Sequence, residues 1–181
     1  MLLFETLLSE ENKTEKAIHI YKSYYSYMIY IAGRHLSDPA DREDAAQDCM
    51  LKLISIIDSI DVSDEARLKG LCGVVTRNIA LNICKRKEKG NVSLEEVFGV
   101  RSSVPSPENI TVANDTLRGL VRAIEGLSPT YRDILKLKYL NQLKEHQIAK
   151  LLDLPQKTVN QRIFRGKALL RKAIEEENLN G

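Results

Sequence analysis

The sequence of 181 residues has no tryptophan and only three phenylalanines, so its cores must be built from aliphatic side chains and tyrosine. It has three cysteines, Cys49, Cys72 and Cys84, and they form no C-x-x-C pair. An odd count of scattered cysteines argues against a disulfide framework. The three histidines, His19, His35 and His146, are just as scattered, which leaves no convergent set of four ligands for zinc; neither a metal nor another cofactor is expected. No apolar run approaches the roughly 18–20 residues that span a bilayer, so no membrane insertion is expected. The N-terminal MLLFETLLSEEN is too short in its apolar part and acidic at its flank, unlike a signal peptide. Paired catalytic carboxylates, a nucleophile–base pair and a glycine-rich phosphate loop are all missing, so the sequence does not read as an enzyme. These absences describe a soluble, cytoplasmic, reduced and non-catalytic chain.

Acidic residues are missing from a cation-rich stretch of the C-terminal half. Overall the charges nearly balance, with 27 Lys+Arg against 25 Asp+Glu and a net charge of +2. Yet LPQKTVNQRIFRGKALLRKA, residues 154 to 173, carries Lys157, Arg162, Arg165, Lys167, Arg171 and Lys172 without a single carboxylate. Ordinary exposed helices mix signs for i,i+4 pairing. Local segregation, rather than net charge, is therefore the informative quantity.

Strand signals are also nearly absent, and helical periodicity recurs instead. A first helix is expected from about Lys13 to His35, with Ala17, Tyr21, Tyr24, Met28 and Ile31 as its apolar stripe. Its cluster of tyrosines reads better as a core helix whose hydroxyls reach water than as an aromatic binding box. A second helix opens at SDPADRED, where Asp38 can cap and Pro39 fits the first turn. It runs to about Asp58 and buries Ala46, Met50, Leu53 and Ile57. A third spans roughly Ala66 to Lys87 and buries Leu68, Leu71, Val75 and Ile79. Periodicity then fails through a stretch rich in Gly, Pro and Ser, the composition of a linker. It resumes near Asn114, and LSPTYRD starts a further helix with Ser128 as cap. The chain is expected to be all-α: one helical domain over 1–89, a flexible linker over 90–113 and a second domain over 114–181.

The second domain has helix-turn-helix organisation. A helix from about Lys144 to Leu152 turns Ile148, Leu151 and Leu152 inward, Asp153 and Leu154 make the turn, and Pro155 opens the next helix. On that helix Val159, Ile163, Gly166, Leu170 and Ala173 share one stripe. Lys157, Gln161, Arg165 and Lys172 fall opposite, flanked by Thr158, Asn160, Arg162 and Lys167. An apolar back with a Lys/Gln/Arg front suits the major groove of DNA. In the first domain, Asp44, Gln47, Asp48 and Leu51 lie opposite the buried stripe of the second helix. They read either as a solvated acidic face or as a protein-docking surface. The third helix carries Arg67, Lys69, Arg77, Lys85, Arg86 and Lys87, a second cationic element alongside a DNA-reading one.

These residues resemble the small two-domain sigma factors of the sigma-70 family, the extracytoplasmic-function group, over about Ile18 to Ala173. DREDAAQDCMLKLI is similar to the family's D-x-E-D-x-x-Q-[DE] helix. LKGLCGVVTRNIALNICKRK is similar to its W-L-x-x-I-A-x-N helix with a basic end. LSPTYRDILKLKYL followed by HQIAKLLDLPQKTVNQRIFRGKALL is similar to its C-terminal domain, with the E-I-A and G-T-V-K-S-R-x-x-R-A signatures.

The resemblance implies a factor that binds core RNA polymerase and directs promoter-specific initiation. It puts Asp44, Gln47, Asp48 and Leu51 on the β′ clamp helices, and the C-terminal domain at the β flap. It puts Arg77, Asn78, Lys85 and Arg86 on the −10 element, although Asn78 reads equally well as a helix-packing residue. It puts Lys157, Thr158, Asn160, Gln161, Arg162 and Arg165 on the −35 element, and it allows an anti-sigma protein as a further partner. The sequence departs from the family pattern at Leu71, Asn82, Gln147 and Lys157, and DSIDVSDEAR, before the third helix, has no aromatic to stack on a flipped base. A DNA-binding regulator that is not a sigma subunit would share the helix-turn-helix but not the acidic helix or the two-domain order. A nuclease would need a metal-assisted site that the sequence does not display.

Overall fold

The computed structural model describes residues 2–88 and 115–179; the linker expected at 90–113 lies outside them. The chain divides into two compact units, Met1–Ser93 and Leu94–Gly181. Every regular element among the described residues is helical.

The first unit packs α1 (Leu2–Gly33), α2 (Pro39–Ile54) and α3 (Glu65–Glu88), with a 3-10 turn at Ile57–Ser59. Asp38 caps α2, its Oδ1 accepting from the Ala40 amide at 2.9 Å, a contact of the kind that contributes about 1 kcal/mol. Arg42, the lone cation in this acidic run, serves the turn before it. Its Nε donates to the Leu36 carbonyl at 2.8 Å and its Nη2 to the Ser37 carbonyl at 2.9 Å. Asp64 opens α3, accepting from the Arg67 amide at 3.0 Å. Tyr24 donates its hydroxyl to the Glu65 carbonyl at 3.3 Å, and the Cys84 thiol reaches the His35 carbonyl at 3.2 Å. α1 and α3 therefore run parallel. α2 runs antiparallel to α1, since the Lys13 ammonium lies 3.6 Å from Asp58, near the far end of α2.

Leu68, Leu71, Val75 and Ile79 are all buried on α3, as the periodicity predicts. Each such burial contributes about 1.5–3 kcal/mol before entropy is counted. The stripe on α1 differs from expectation at two places: Tyr24, Met28 and Ile31 are buried, but Ile20 is buried in place of the exposed Tyr21, and Ala17 is only half-buried. α1 packs against both α2 and α3, so its buried arc is wide, and isoleucine enters it without stranding a hydroxyl. Tyr21 instead lies over Tyr25, ring centroids 4.7 Å apart. Cys49 and Cys72 fill the α2–α3 contact, and burial pushes the Cys49 thiol up to about 12 and raises that of Cys72 too.

The second unit contains α4 (Asp115–Glu125), α5 (Pro129–Leu135), α6 (Glu145–Leu152) and α7 (Gln156–Leu179). Its core joins Ala123, Ile124, Leu135 and Leu170, with Leu120, Leu127, Ala173 and Ile174 packed around them. Ser128 stands at the α5 N-cap, but the amides of Tyr131 and Arg132 bond to its carbonyl rather than its side chain. α5 continues into a π-helical turn at Lys136–Leu140, which periodicity did not anticipate. The turn closes with the Asn141 amide on the Lys136 carbonyl and Gln142 in the left-handed region at φ 55°.

Candidate nucleic-acid and docking interfaces

The helix-turn-helix is α6, a tight turn and α7. Gln147 closes the start of α6: its Oε1 accepts from the Lys144 amide at 2.8 Å, which accounts for an amide where the resembling family has a carboxylate. Asp153 reverses the chain at φ 52°, ψ 44°, a left-handed position that a short polar side chain tolerates. The amides of Thr158 and Val159 then bond to the Pro155 carbonyl at 2.9 and 3.1 Å. Val159, Ile163, Gly166 and Leu170 bury the back of α7. At Gly166 an added Cβ would lie 3.2 Å from Leu135 Cδ1, so the missing side chain is what lets α7 approach α5 closely.

The opposite face of α7 exposes Lys157, Asn160, Gln161, Arg165, Lys167 and Lys172. Thr158 and Arg162 are half-buried at its edge. Burial pulls the Arg162 guanidinium down, and neighbouring Tyr131 partly offsets this, so Arg162 is a flanking, partly packed cation rather than a fully presented one. Lys167 stands 5.7 Å from the centre of the Tyr139 ring. Sequence reasoning missed Phe164, which is 77% exposed, far more than any other described aromatic. Its signal was available: it is a large apolar residue set well away from the buried stripe, between Lys157 and Asn160 on the helical wheel.

On the first unit, Asp44, Gln47, Asp48 and Leu51 are all exposed on one face of α2, Leu51 at 65%. Ile54 continues that face and was not anticipated. Gln47 also hydrogen-bonds the Tyr25 hydroxyl on α1. At the far end of α3, Arg86 is exposed, and Asn78 and Lys85 are half-buried. Lys87 pairs with Asp41 of α2, which holds its ammonium above the usual lysine range.

Arg77 requires a correction. Expected to face the −10 element, it is only 5% exposed. It lies inside near His35, whose imidazole is held below its usual value by burial first and by the charges of Arg77 and Arg34 next. On α3 it falls toward α1, and a guanidinium so enclosed is a packing and electrostatic element of the first unit. It is not presented to phosphate.

An all-helical chain with an acidic, leucine-bearing face on one unit and an acid-free helix-turn-helix face on the other has the form of a two-part transcription factor. The comparisons with known proteins specify which. Residues 20–90 match the family described as sigma-70 region 2, and residues 117–170 match sigma-70, region 4. The chain is 26% identical over 168 residues to the ECF RNA polymerase sigma factor SigW of Bacillus subtilis (strain 168), covering 88% of this chain and 87% of that protein. It is 22% identical over 168 residues to the ECF RNA polymerase sigma-E factor of Escherichia coli (strain K12), covering 89% and 88%. The chain belongs to the sigma-70 family as an extracytoplasmic-function sigma factor. It binds core RNA polymerase and directs promoter-specific initiation, and the family to which it belongs is one of non-catalytic initiation factors. No helix among the described residues is long and apolar enough to cross a membrane.

Proposed function

We propose that the roles divide by unit and by face. The first domain, 1–89, docks on the β′ clamp helices through Asp44, Gln47, Asp48 and Leu51. Lys85 and Arg86, with Asn78 beside them, hold the −10 element. The segment 90–113 links this domain to the second, 114–181, which sits at the β flap and reads the −35 element. There Lys157, Asn160, Gln161 and Arg165 enter the major groove, while Thr158 and Arg162 flank it on the phosphates. The chain works in the cytoplasm, carries no catalytic group or cofactor of its own, and is open to restraint by an anti-sigma protein covering either face.

The observation that carries this reading is the α7 surface, where the exposed side chains from Lys157 to Lys172 include no carboxylate. Any Asp or Glu there would repel phosphate. Transcription in vitro with core polymerase over genomic fragments tests the assignment. Fragments should be transcribed only when the chain is present, and changing their −35 bases should abolish the effect. Binding to promoter DNA without association with core polymerase would instead identify a free regulator, and hydrolysis of DNA with added magnesium would identify a nuclease.

A further inference from the structure

Lys167 belongs to the acid-free face of α7 but not to the residues that enter the groove or flank it on the Arg162 side. Its neighbour is aromatic. The π-helical turn at Lys136–Leu140 presents Tyr139, 36% exposed, to the edge of α7, where the Lys167 ammonium stands 5.7 Å from the ring centre. The turn is fastened on both sides. Lys136 pairs with Glu125 of α4, and Lys138 with Glu145 at the start of α6, at 2.9 Å. Beneath it Leu137 and Leu143 are buried, the Leu143 amide donating to the Leu137 carbonyl at 3.1 Å. Lys136 and Lys138 are thereby committed to carboxylates, and Tyr139 stands as a fixed, neutral face.

The placement of Lys167 gives the pair a use. On the helical wheel Arg162 and Lys167 fall on opposite flanks of the buried stripe Val159, Ile163, Gly166 and Leu170. A helix lying in the major groove turns its front to base edges and its two flanks to the two strands that border the groove. Lys167 is also two turns beyond Asn160, about 10 Å along the axis, which is comparable with the groove's width of about 12 Å. We propose that Tyr139 is a positioning residue: its ring holds the Lys167 ammonium against a phosphate of the −35 element, on the strand opposite the one that Arg162 contacts. A ring does this where a carboxylate could not. A carboxylate would hold the ammonium but cancel its charge, whereas the quadrupole of the ring attracts the cation and leaves its full charge to the phosphate. Holding the long side chain in place also reduces the freedom it must lose on binding.

This inference rests on the −35 reading of α7. The test uses holoenzyme assembled on core polymerase and a promoter fragment that it transcribes, with affinity measured at several salt concentrations. Lys167→Ala should lower the slope of log affinity against log salt by about one counterion. Tyr139→Leu should weaken binding roughly 2- to 5-fold, the range of one exposed cation–π contact, and Tyr139→Phe, which keeps the ring, should not. In the Lys167→Ala background Tyr139→Leu should cost nothing further, which separates positioning from a loss of folding. Single methylphosphonate linkages, each removing one backbone charge, identify the strands. The linkage whose neutralisation weakens the unsubstituted chain but not Lys167→Ala should lie on one strand, and the linkage with the same relation to Arg162→Ala on the other. No loss from Tyr139→Leu, an equal loss with and without Lys167, or both linkages on one strand overturns the proposal and leaves the −35 reading intact. Affinity that no change of the −35 bases alters overturns the reading of α7 and the positioning role with it.

Discussion

At the scale of single residues, exposure separates two arginines that look alike in sequence. Arg165 stands free of the core on the outer face of α7, whereas Arg162 is half-buried beside Tyr131. Arg165→Ala should lower the slope of log affinity against log salt for −35 duplex by about one counterion, with no change in thermal stability. Arg162→Ala should reduce that slope less and also lower the melting temperature, because its stem packs. Titrations at several salt concentrations, with melting curves on the same preparations, check both. Identical behaviour of the two variants would show that burial does not distinguish them. Phe164 offers a charge-free counterpart. An exposed ring in the middle of a groove-facing surface can cover a thymine methyl. Phe164→Ala should weaken binding about fourfold, the worth of one methyl's burial, without altering the salt slope. Replacing thymine by uracil in the −35 duplex should produce the same loss in the unsubstituted chain and none in the variant. A variant that still discriminates thymine from uracil removes Phe164 from base reading.

At the scale of elements, what decides is which face of a helix meets which neighbour, and sequence shows this unevenly. The apolar stripe of α3 was legible because Leu68, Leu71, Val75 and Ile79 recur at the helical period and are buried. Both α1 and α3 pack on two neighbours, which widens their buried arcs: on α1 Ile20 is buried and Tyr21 turned outward, and on α3 Cys72, Thr76 and Ala80 are buried beside the stripe. Arg77 was misread for a similar reason. A cation in a basic helix looks solvent-facing until the parallel packing of α1 encloses it beside His35. The exposed face of α2 was legible from its carboxylates, yet its apolar extension at Ile54 was not, since an isolated isoleucine looks like any core residue. This face, Asp44, Gln47, Asp48 and Leu51, supports a prediction of its own. Asp48→Arg reverses a charge on an exposed position, so the melting temperature should hold while co-elution with core polymerase is lost. Leu51→Asp should act likewise by placing a charge where an apolar contact forms on docking. If both variants co-elute as the unsubstituted chain does, the docking face lies on another side of the unit.

At the scale of the whole molecule, near-neutrality conceals a division of labour. A net charge of +2 would bind nucleic acid feebly if spread evenly, but carboxylates are withdrawn from residues 154–173 and gathered on the exposed face of α2. Under the proposed assignment the two faces have different tasks, docking on polymerase and reading DNA. Joining them in one chain raises the local concentration of the second unit once the first has docked, and such linkage typically strengthens overall binding about 100- to 10,000-fold. Cutting the chain between 90 and 113 and supplying both halves at equal concentration should therefore depress promoter-dependent transcription by a factor in that range. A large excess of the C-terminal half should partly restore it, because mass action then substitutes for the tether. Circular dichroism on each half separates lost linkage from lost folding, since both halves should remain helical. Full transcription from equimolar halves would mean that polymerase itself brings the two units together and that the covalent connection contributes nothing to promoter selection.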